Sequence, residues 1–291
     1  MDESAQTPTG MSRRTFLTTS AALGVGAALG SAAALGTGAG SAAPLDFGSA
    51  GLGGTPPPPP PPPGCGSVNS QDFLWKAVDG VNPGNLGSNK YVVEPAVQPT
   101  AQFSQLYAIR HGGDKPNSPY DWLLLPTRRI SGIECQTIWK PDMLNLWRYA
   151  WTEAPGLLKL PEDEIVVGIN SKNARKLNQL HIHQTRLNGP TRKSLTAAKG
   201  LPTRLSDWTT PKALVPLDIN DPTRPSAHFR VVHLDALLPN LFVDLERLVG
   251  ASAMADQMIA VAKAPKGFYV ISSSGKGVHD GTGSCEGLFF M

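Results

Sequence analysis

The 291-residue sequence predicts an α+β domain with a mostly antiparallel sheet and flanking helices. The segment 179–187 alternates polar and apolar residues, which is the period of a half-buried strand, and several short apolar segments also read as strands. Other segments repeat apolar residues every three or four positions, which is the period of an amphipathic helix. The sequence contains neither long heptads nor internal repeats. The balance of these segments favours an α+β domain.

The first 66 residues differ in composition from the rest. Residues 12–17 (SRRTFL) and the uncharged Ala/Gly/Leu run after them resemble a twin-arginine export signal. The run is rich in Gly, Ala and Ser, which disfavours a transmembrane anchor. Eight prolines at 56–63 predict a stiff polyproline II spacer. We expect an export signal at 1–45, a Gly/Pro-rich linker at 46–66 and one folded domain at 67–291, in the cell envelope, periplasmic or extracellular.

Charge and cysteine content limit the class of protein. The formal charge of +3 is small and by itself argues neither for nor against nucleic acid; we expect no nucleic-acid partner. A hydrophobic fraction of 41% is sufficient for a core. An exported chain with Cys65, Cys135 and Cys285 is expected to form one disulfide and leave one thiol, and the pairing stays open.

The first half of the domain reads as strand, strand, helix, strand, strand. Residues 107–111 predict a strand, and 120–125 predict a central strand that Pro126 ends. Apolar residues recur at helical spacing from Pro141 to Glu153, with Pro155 and Gly156 closing the helix. The following segments are a strand at 162–169, a basic loop at 170–176 and the alternating strand at 179–187.

The second half is less regular. Residues 189–225 are rich in Pro, Lys and Arg and predict no regular structure. Residues 227–232 predict a strand, and Asp235 is placed to cap a helix that reaches Leu248 and continues over 253–262. A last strand at 268–272 precedes a Gly-rich tail.

The alternating strand carries the candidate site. His181 and His183 share one face of it with Gln179 and Thr185, because side chains two positions apart point the same way. The preceding loop adds hydroxyl, amide and cationic groups, which together with imidazoles suit a phosphate substrate. We expect His181 and His183 to be catalytic. Six residues are expected to bind substrate or phosphate: Gln179, Asn170, Ser171, Lys172, Arg175 and Arg128.

These residues resemble a known family. The segment Leu-Leu-Leu-Pro-Thr-Arg-Arg-Ile at 123–130, Ile-Asn-Ser at 169–171, Arg175 and Gln-Leu-His-Ile-His at 179–183 are similar to the bacterial CDP-diacylglycerol pyrophosphatases, of the histidine-triad-like superfamily. The resemblance implies a histidine-triad-like fold. It also implies hydrolysis of CDP-diacylglycerol, or of a related nucleotide diphosphate ester, to CMP and phosphatidate through a nucleotidyl-histidine intermediate.

Carried over residue by residue, the resemblance makes His181 the nucleophile and His183 the supporting third histidine of the triad. The first triad position is Gln179, and Leu177 stands where the family suggests a glutamine. A register with His183 as nucleophile and Thr185 in third position stays open. The resemblance implies no cofactor and no metal, and it allows a membrane surface and a homodimer as partners.

Two other functions stay open from the residues alone. The His-x-His pair could serve a metal-dependent phosphoester hydrolase, with His233 as third ligand. The departures at Gln179 and Leu177 also fit an exported nucleotide- or lipid-binding protein that has lost catalysis.

Overall fold

A nine-stranded sheet, antiparallel at every pairing, forms the centre of the computed structural model. The structure describes residues 65–67, 72–78, 92–95, 106–112, 120–141, 143–237 and 240–290. The predicted export signal and nearly all of the predicted linker lie outside them. The strands are β1 (Val92–Pro95), β2 (Leu106–His111), β3 (Trp122–Pro126), β4 (Ile165–Ile169), β5 (Ile182–Arg186), β6 (Leu214–Asp218), β7 (Ser226–Leu234), β8 (Gln257–Lys263) and β9 (Phe268–Ser274). Their spatial order is β1-β2-β3-β5-β4-β8-β9-β7-β6.

Helices pack against this sheet, as predicted. They are α1 (Phe73–Val78), α2 (Leu146–Leu158), α3 (Gly189–Ala197) and α4 (Leu241–Val249). The apolar residues of α2 and α4 pack in the largest core cluster, which includes Leu124, Val167 and Ile182 from the sheet. The opposite face of the sheet is covered by apolar residues of α1, of α3 and of residues 283–289, called the C-terminal segment below. Among the described residues, no helix combines the length and apolarity that crossing a membrane requires.

The prediction of a helix over 253–262 is wrong. Residues Ala251–Asp256 form a short 3-10 helix, and β8 then runs from Gln257 to Lys263. All of β8 except its last residue is buried, since it lies between β4 and β9 and is covered on both faces. A strand of this kind reads as a continuous apolar run, and periodicity alone cannot distinguish it from a buried helix.

Two other expectations for the second half are also wrong. The stretch 189–225 contains α3, with the Asn188 side chain accepting from the amide of Thr191, and the edge strand β6. An edge strand tolerates Pro216 because it pairs on one side only. The helix α4 begins at Leu241. Its N-cap is Asn240, whose side chain accepts from the amide of Phe242, five positions after the predicted cap Asp235.

The predicted helix over 141–153 is shifted toward the C-terminus. It begins at Leu146 behind the N-cap Asn145 and runs to Leu158. Pro155 is inside it, in the last turns, and its carbonyl accepts from Lys159, which ends the helix in the left-handed conformation.

A disulfide between Cys65 and Cys135 resolves the cysteine pairing and leaves Cys285 as a buried thiol. It joins the segment just before α1 to the loop after β3. Both cysteines are buried in the largest core cluster, with residues of α2 and α4.

Candidate active site

The Gln179 side chain bonds to the segment that follows β3, and its expected role in substrate binding stays a prediction. Its amide nitrogen donates to the carbonyls of Pro126 and Arg128, at 2.9 and 2.8 Å, and its oxygen accepts from Arg129 at 3.2 Å. The amide of Leu180 also donates to Ile130. These bonds hold 179–181 away from the strand ladder, so β5 begins at Ile182, three residues later than predicted. The Gln179 side chain is fully buried and acts as a brace between two loops.

His181 is held as a neutral imidazole with one nitrogen available. Its Nδ1 lies 2.6 Å from the backbone oxygen of Gln179. A carbonyl can only accept, so Nδ1 carries the proton and Nε2 carries the lone pair. Burial of the ring, followed by the nearby charge of His183, lowers the pKa of His181 to about 4. At neutral pH the ring is therefore uncharged, and its Nε2 is a competent nucleophile.

This depressed pKa makes stability depend on pH. In the unfolded chain His181 takes up a proton as the pH falls below about 6.5, its ordinary pKa. In the folded chain it takes up this proton only near pH 4. Stability is therefore complete above that range and falls as the pH falls through it. Between pH 7.5 and 4.5 we expect wild type to lose about 2–3 kcal/mol more unfolding free energy than His181→Asn. Urea unfolding of both proteins at the two pH values measures this difference, and equal losses would contradict it.

His183 lies inside the sheet, next to the first histidine. It pairs with Leu123 of β3 and Gly168 of β4. The two imidazole centroids are 5.1 Å apart with an interplanar angle of 70°. The Nδ1 of His183 lies 3.5 Å from Oδ1 of Asp121, and its buried Nε2 has no hydrogen-bond partner among the described residues.

Asp121, which precedes β3, is a site residue that the sequence reasoning missed. Burial alone would raise the pKa of this carboxyl group, but its interactions with His183, and smaller ones with His111 and His181, outweigh burial and lower the pKa. Asp121 is therefore a carboxylate at neutral pH. It is separated from His183 by 62 positions in the sequence and meets it only because β3 pairs with β5.

Two segments cover the histidine face on either side of the pair. On the β3 side, Leu74, Trp75 and Val78 of α1 pack on Ala108, Leu123 and Leu125, joined by Leu177. On the β4 side, the C-terminal segment crosses Gly168: a Cβ there would lie 3.1 Å from Sγ of Cys285. The Phe289 ring lies 5.4 Å from that of His183. The histidines thus lie between α1 and the C-terminal segment, and Leu177 is an apolar packing residue.

Asn170 and Ser171 are on the histidine side of the fold but hold the C-terminal segment. The Asn170 oxygen accepts from the amide of Cys285 at 2.8 Å, and its nitrogen donates to Glu286 at 3.1 Å. The amide of Ser171 donates to the carbonyl of Gly283 at 2.8 Å. Both side chains are almost completely buried. Their expected phosphate-binding role stays a prediction. The bonds described here hold the C-terminal segment beside His183.

The three cationic residues predicted to bind phosphate, Arg175, Lys172 and Arg128, lie in different environments. The Arg175 guanidinium makes a bidentate ion pair with Glu134 at 2.7 and 2.5 Å, with side chains only 4% and 10% exposed. Lys172 is exposed, and the structure records its backbone amide donating to Ala255. Arg128 contributes its backbone carbonyl to Gln179. The structure therefore brings His181 and His183 together, while Arg175 is committed to Glu134.

The three-histidine metal site is contradicted by the sheet order. His233 lies on β7, which is four strands away from β5. At about 4.8 Å per strand this places the two roughly 19 Å apart, far beyond a shared metal ion. The His233 ring instead contacts the carbonyl of Lys266.

Comparison with known proteins points in one direction. The family model of CDP-diacylglycerol pyrophosphatase matches residues 69–289. A CDP-diacylglycerol pyrophosphatase of Mycobacterium bovis (BCG Pasteur) is 42% identical over 71 residues, 22% of this chain and 27% of that protein. A probable CDP-diacylglycerol pyrophosphatase of Mycobacterium leprae is 34% identical over 127 residues, 40% of this chain and 43% of that protein. The chain thus spans less than half the length of these relatives.

Proposed function

The chain belongs to the CDP-diacylglycerol pyrophosphatase family, and we propose that it hydrolyses the phosphoanhydride of CDP-diacylglycerol to CMP and phosphatidate by a histidine-triad mechanism. The observation that carries this proposal is the His181 ring. It is neutral, its Nδ1 is fixed by a backbone carbonyl, and its Nε2 is left to attack.

The reaction has two displacements. Nε2 of His181 attacks the phosphorus next to cytidine, the P–O bond to phosphatidate breaks, and the leaving phosphate takes the electron pair. Water then attacks the cytidylyl-histidine, the P–N bond breaks, and CMP leaves. Phosphoryl transfer depends mainly on alignment and on charge neutralisation. His183, 5.1 Å away between ring centroids, can donate to a phosphoryl oxygen once it is protonated.

The partners of the two histidines support an assignment of their roles. Nδ1 of His181 meets a neutral carbonyl oxygen, whereas Nδ1 of His183 meets a carboxylate. A carboxylate stabilises a protonated ring, which suits a residue that carries positive charge during the reaction. A backbone carbonyl in a buried site fixes a neutral ring, which suits the nucleophile. We therefore assign attack to His181 and support to His183, in preference to the register with Thr185 in third position.

A lipid substrate agrees with the proposed location of the protein. We propose that residues 12–17 direct twin-arginine export and that the domain acts at the surface of a membrane in the cell envelope.

Hydrolysis is tested with purified protein and CDP-diacylglycerol in mixed micelles, with a chelator and no added metal. We expect CMP and phosphatidate to appear in equal amounts, because the two-step mechanism uses only side chains of the protein. Loss of activity on chelation would support a metal-dependent hydrolase instead. Tight binding of the nucleotide with no CMP after long incubation would support the third function, a binding protein without catalysis.

A further inference from the structure

Asp121 and His183 form a pair whose geometry fits the second displacement better than the first. In the first displacement the leaving group is a phosphate monoester, whose second pKa is about 6, so it can depart at neutral pH without a full proton. In the second displacement the nucleophile is water, which is a poor nucleophile unless a base removes its proton. A base is therefore needed after His181 has been consumed by the covalent bond.

We propose that Asp121 is a positioning residue that makes His183 the base for water in the hydrolysis of the cytidylyl-histidine. This inference rests on the proposed function. Oδ1 of Asp121 lies 3.5 Å from Nδ1 of His183, and a carboxylate can only accept, so the proton stays on Nδ1. The lone pair is then on Nε2, which has no hydrogen-bond partner among the described residues although the atom is buried.

Nε2 of His183 takes one proton from the attacking water, the water oxygen bonds to phosphorus, and the P–N bond electrons return to His181. His183 becomes an imidazolium next to the Asp121 carboxylate, which offsets the new positive charge. The imidazolium later gives its proton to solvent. The same division of roles, a base oriented by a carboxylate, operates in Ser-His-Asp hydrolases.

The position of Asp121 depends on Gly112. The amide of Gly112 donates to the backbone carbonyl of Asp121 at 2.7 Å. A Cβ added at Gly112 would lie 2.4 Å from Oδ2 of Asp121. Gly112→Ala therefore displaces the carboxylate without removing it and provides a second way of disturbing the pair.

The experiment compares wild type with Asp121→Asn and Gly112→Ala, with Asp163→Asn as matched control. The side chain of Asp163 is 65% exposed and pairs with an exposed Arg192. Quenched-flow sampling follows phosphatidate and CMP separately, and intact mass detects the cytidylyl adduct. For Asp121→Asn we expect a burst of about one phosphatidate per protein, an accumulated adduct and steady-state CMP release slowed about 10²–10⁴-fold. Gly112→Ala is expected to change in the same direction, and Asp163→Asn to match wild type.

The outcomes separate this inference from the proposed function. A folded Asp121→Asn that releases CMP at the wild-type rate with no adduct overturns the inference and leaves the proposed function standing. Equal slowing of phosphatidate and CMP, with neither burst nor adduct, also overturns it, because Asp121 would then serve the first displacement or the fold. If wild type forms neither CMP nor adduct, the proposed function and the inference both fall.

Discussion

Replacing His181 with alanine is expected to abolish turnover of CDP-diacylglycerol, a loss of about 10⁴-fold or more, because the variant has no nucleophile at the position that Gln179 and β5 define. The measurement is the initial rate of CMP release by wild type and variant at equal protein concentration.

A second substitution separates chemistry from folding. His181→Asn keeps a side-chain N–H close to where Nδ1 donates to the carbonyl of Gln179, but it carries no nucleophilic nitrogen. We expect it to fold like wild type by circular dichroism and to be as inactive as His181→Ala. His279→Ala is the matched control, because that histidine is 87% exposed on the Gly-rich tail. Wild-type rates in His181→Asn would contradict the assignment of the nucleophile.

Replacing Arg175 with methionine is expected to lower the free energy of unfolding by about 3–5 kcal/mol. The substitution leaves the Glu134 carboxylate, whose side chain is 10% exposed, with Oγ of Ser131 at 2.9 Å as its remaining donor among the described residues. A buried charge without a countercharge has a large desolvation penalty. Chemical denaturation of the variant at pH 7.5 measures the loss.

Two control variants test whether the loss comes from the buried, unpaired Glu134 charge. Arg192→Met removes an equivalent guanidinium from a surface pair and should cost no more than about 1 kcal/mol. Arg175→Met combined with Glu134→Leu removes both charges and should recover most of the loss. If Arg175→Met instead keeps wild-type stability but loses affinity for substrate, Arg175 is a phosphate ligand as its sequence pattern predicted, and its structural role is wrong.

The parts of the fold that sequence predicted are those with a local period. The alternation around Ile182 places the histidines on one face and the core residues on the other, and the helical spacing before Trp151 identifies α2. The prediction for β8 failed because burial on both faces of this strand removes the alternation of polar and apolar residues. Without a visible period, residue pattern cannot separate a buried strand from a helix.

The parts of the site that sequence missed depend on contacts between distant segments. Asp121 is one carboxyl group before a strand, and nothing in its neighbourhood indicates His183 as its partner. Asn170 bonds to Cys285 across 115 positions, and Arg175 bonds to Glu134 across 41. The motif identified candidate site residues, but it could not show which of them bond to other parts of the protein.

The central claim is that Nε2 of His181 forms a covalent bond to the cytidylyl group. The most direct measurement is intact-mass analysis, with peptide mapping, of protein quenched during turnover of CDP-diacylglycerol without added metal. We expect a mass increase equal to one cytidylyl group, located on the peptide that contains His181 and absent from His181→Asn. Steady CMP release by wild type with no adduct at any quench time would contradict it and indicate direct attack by water.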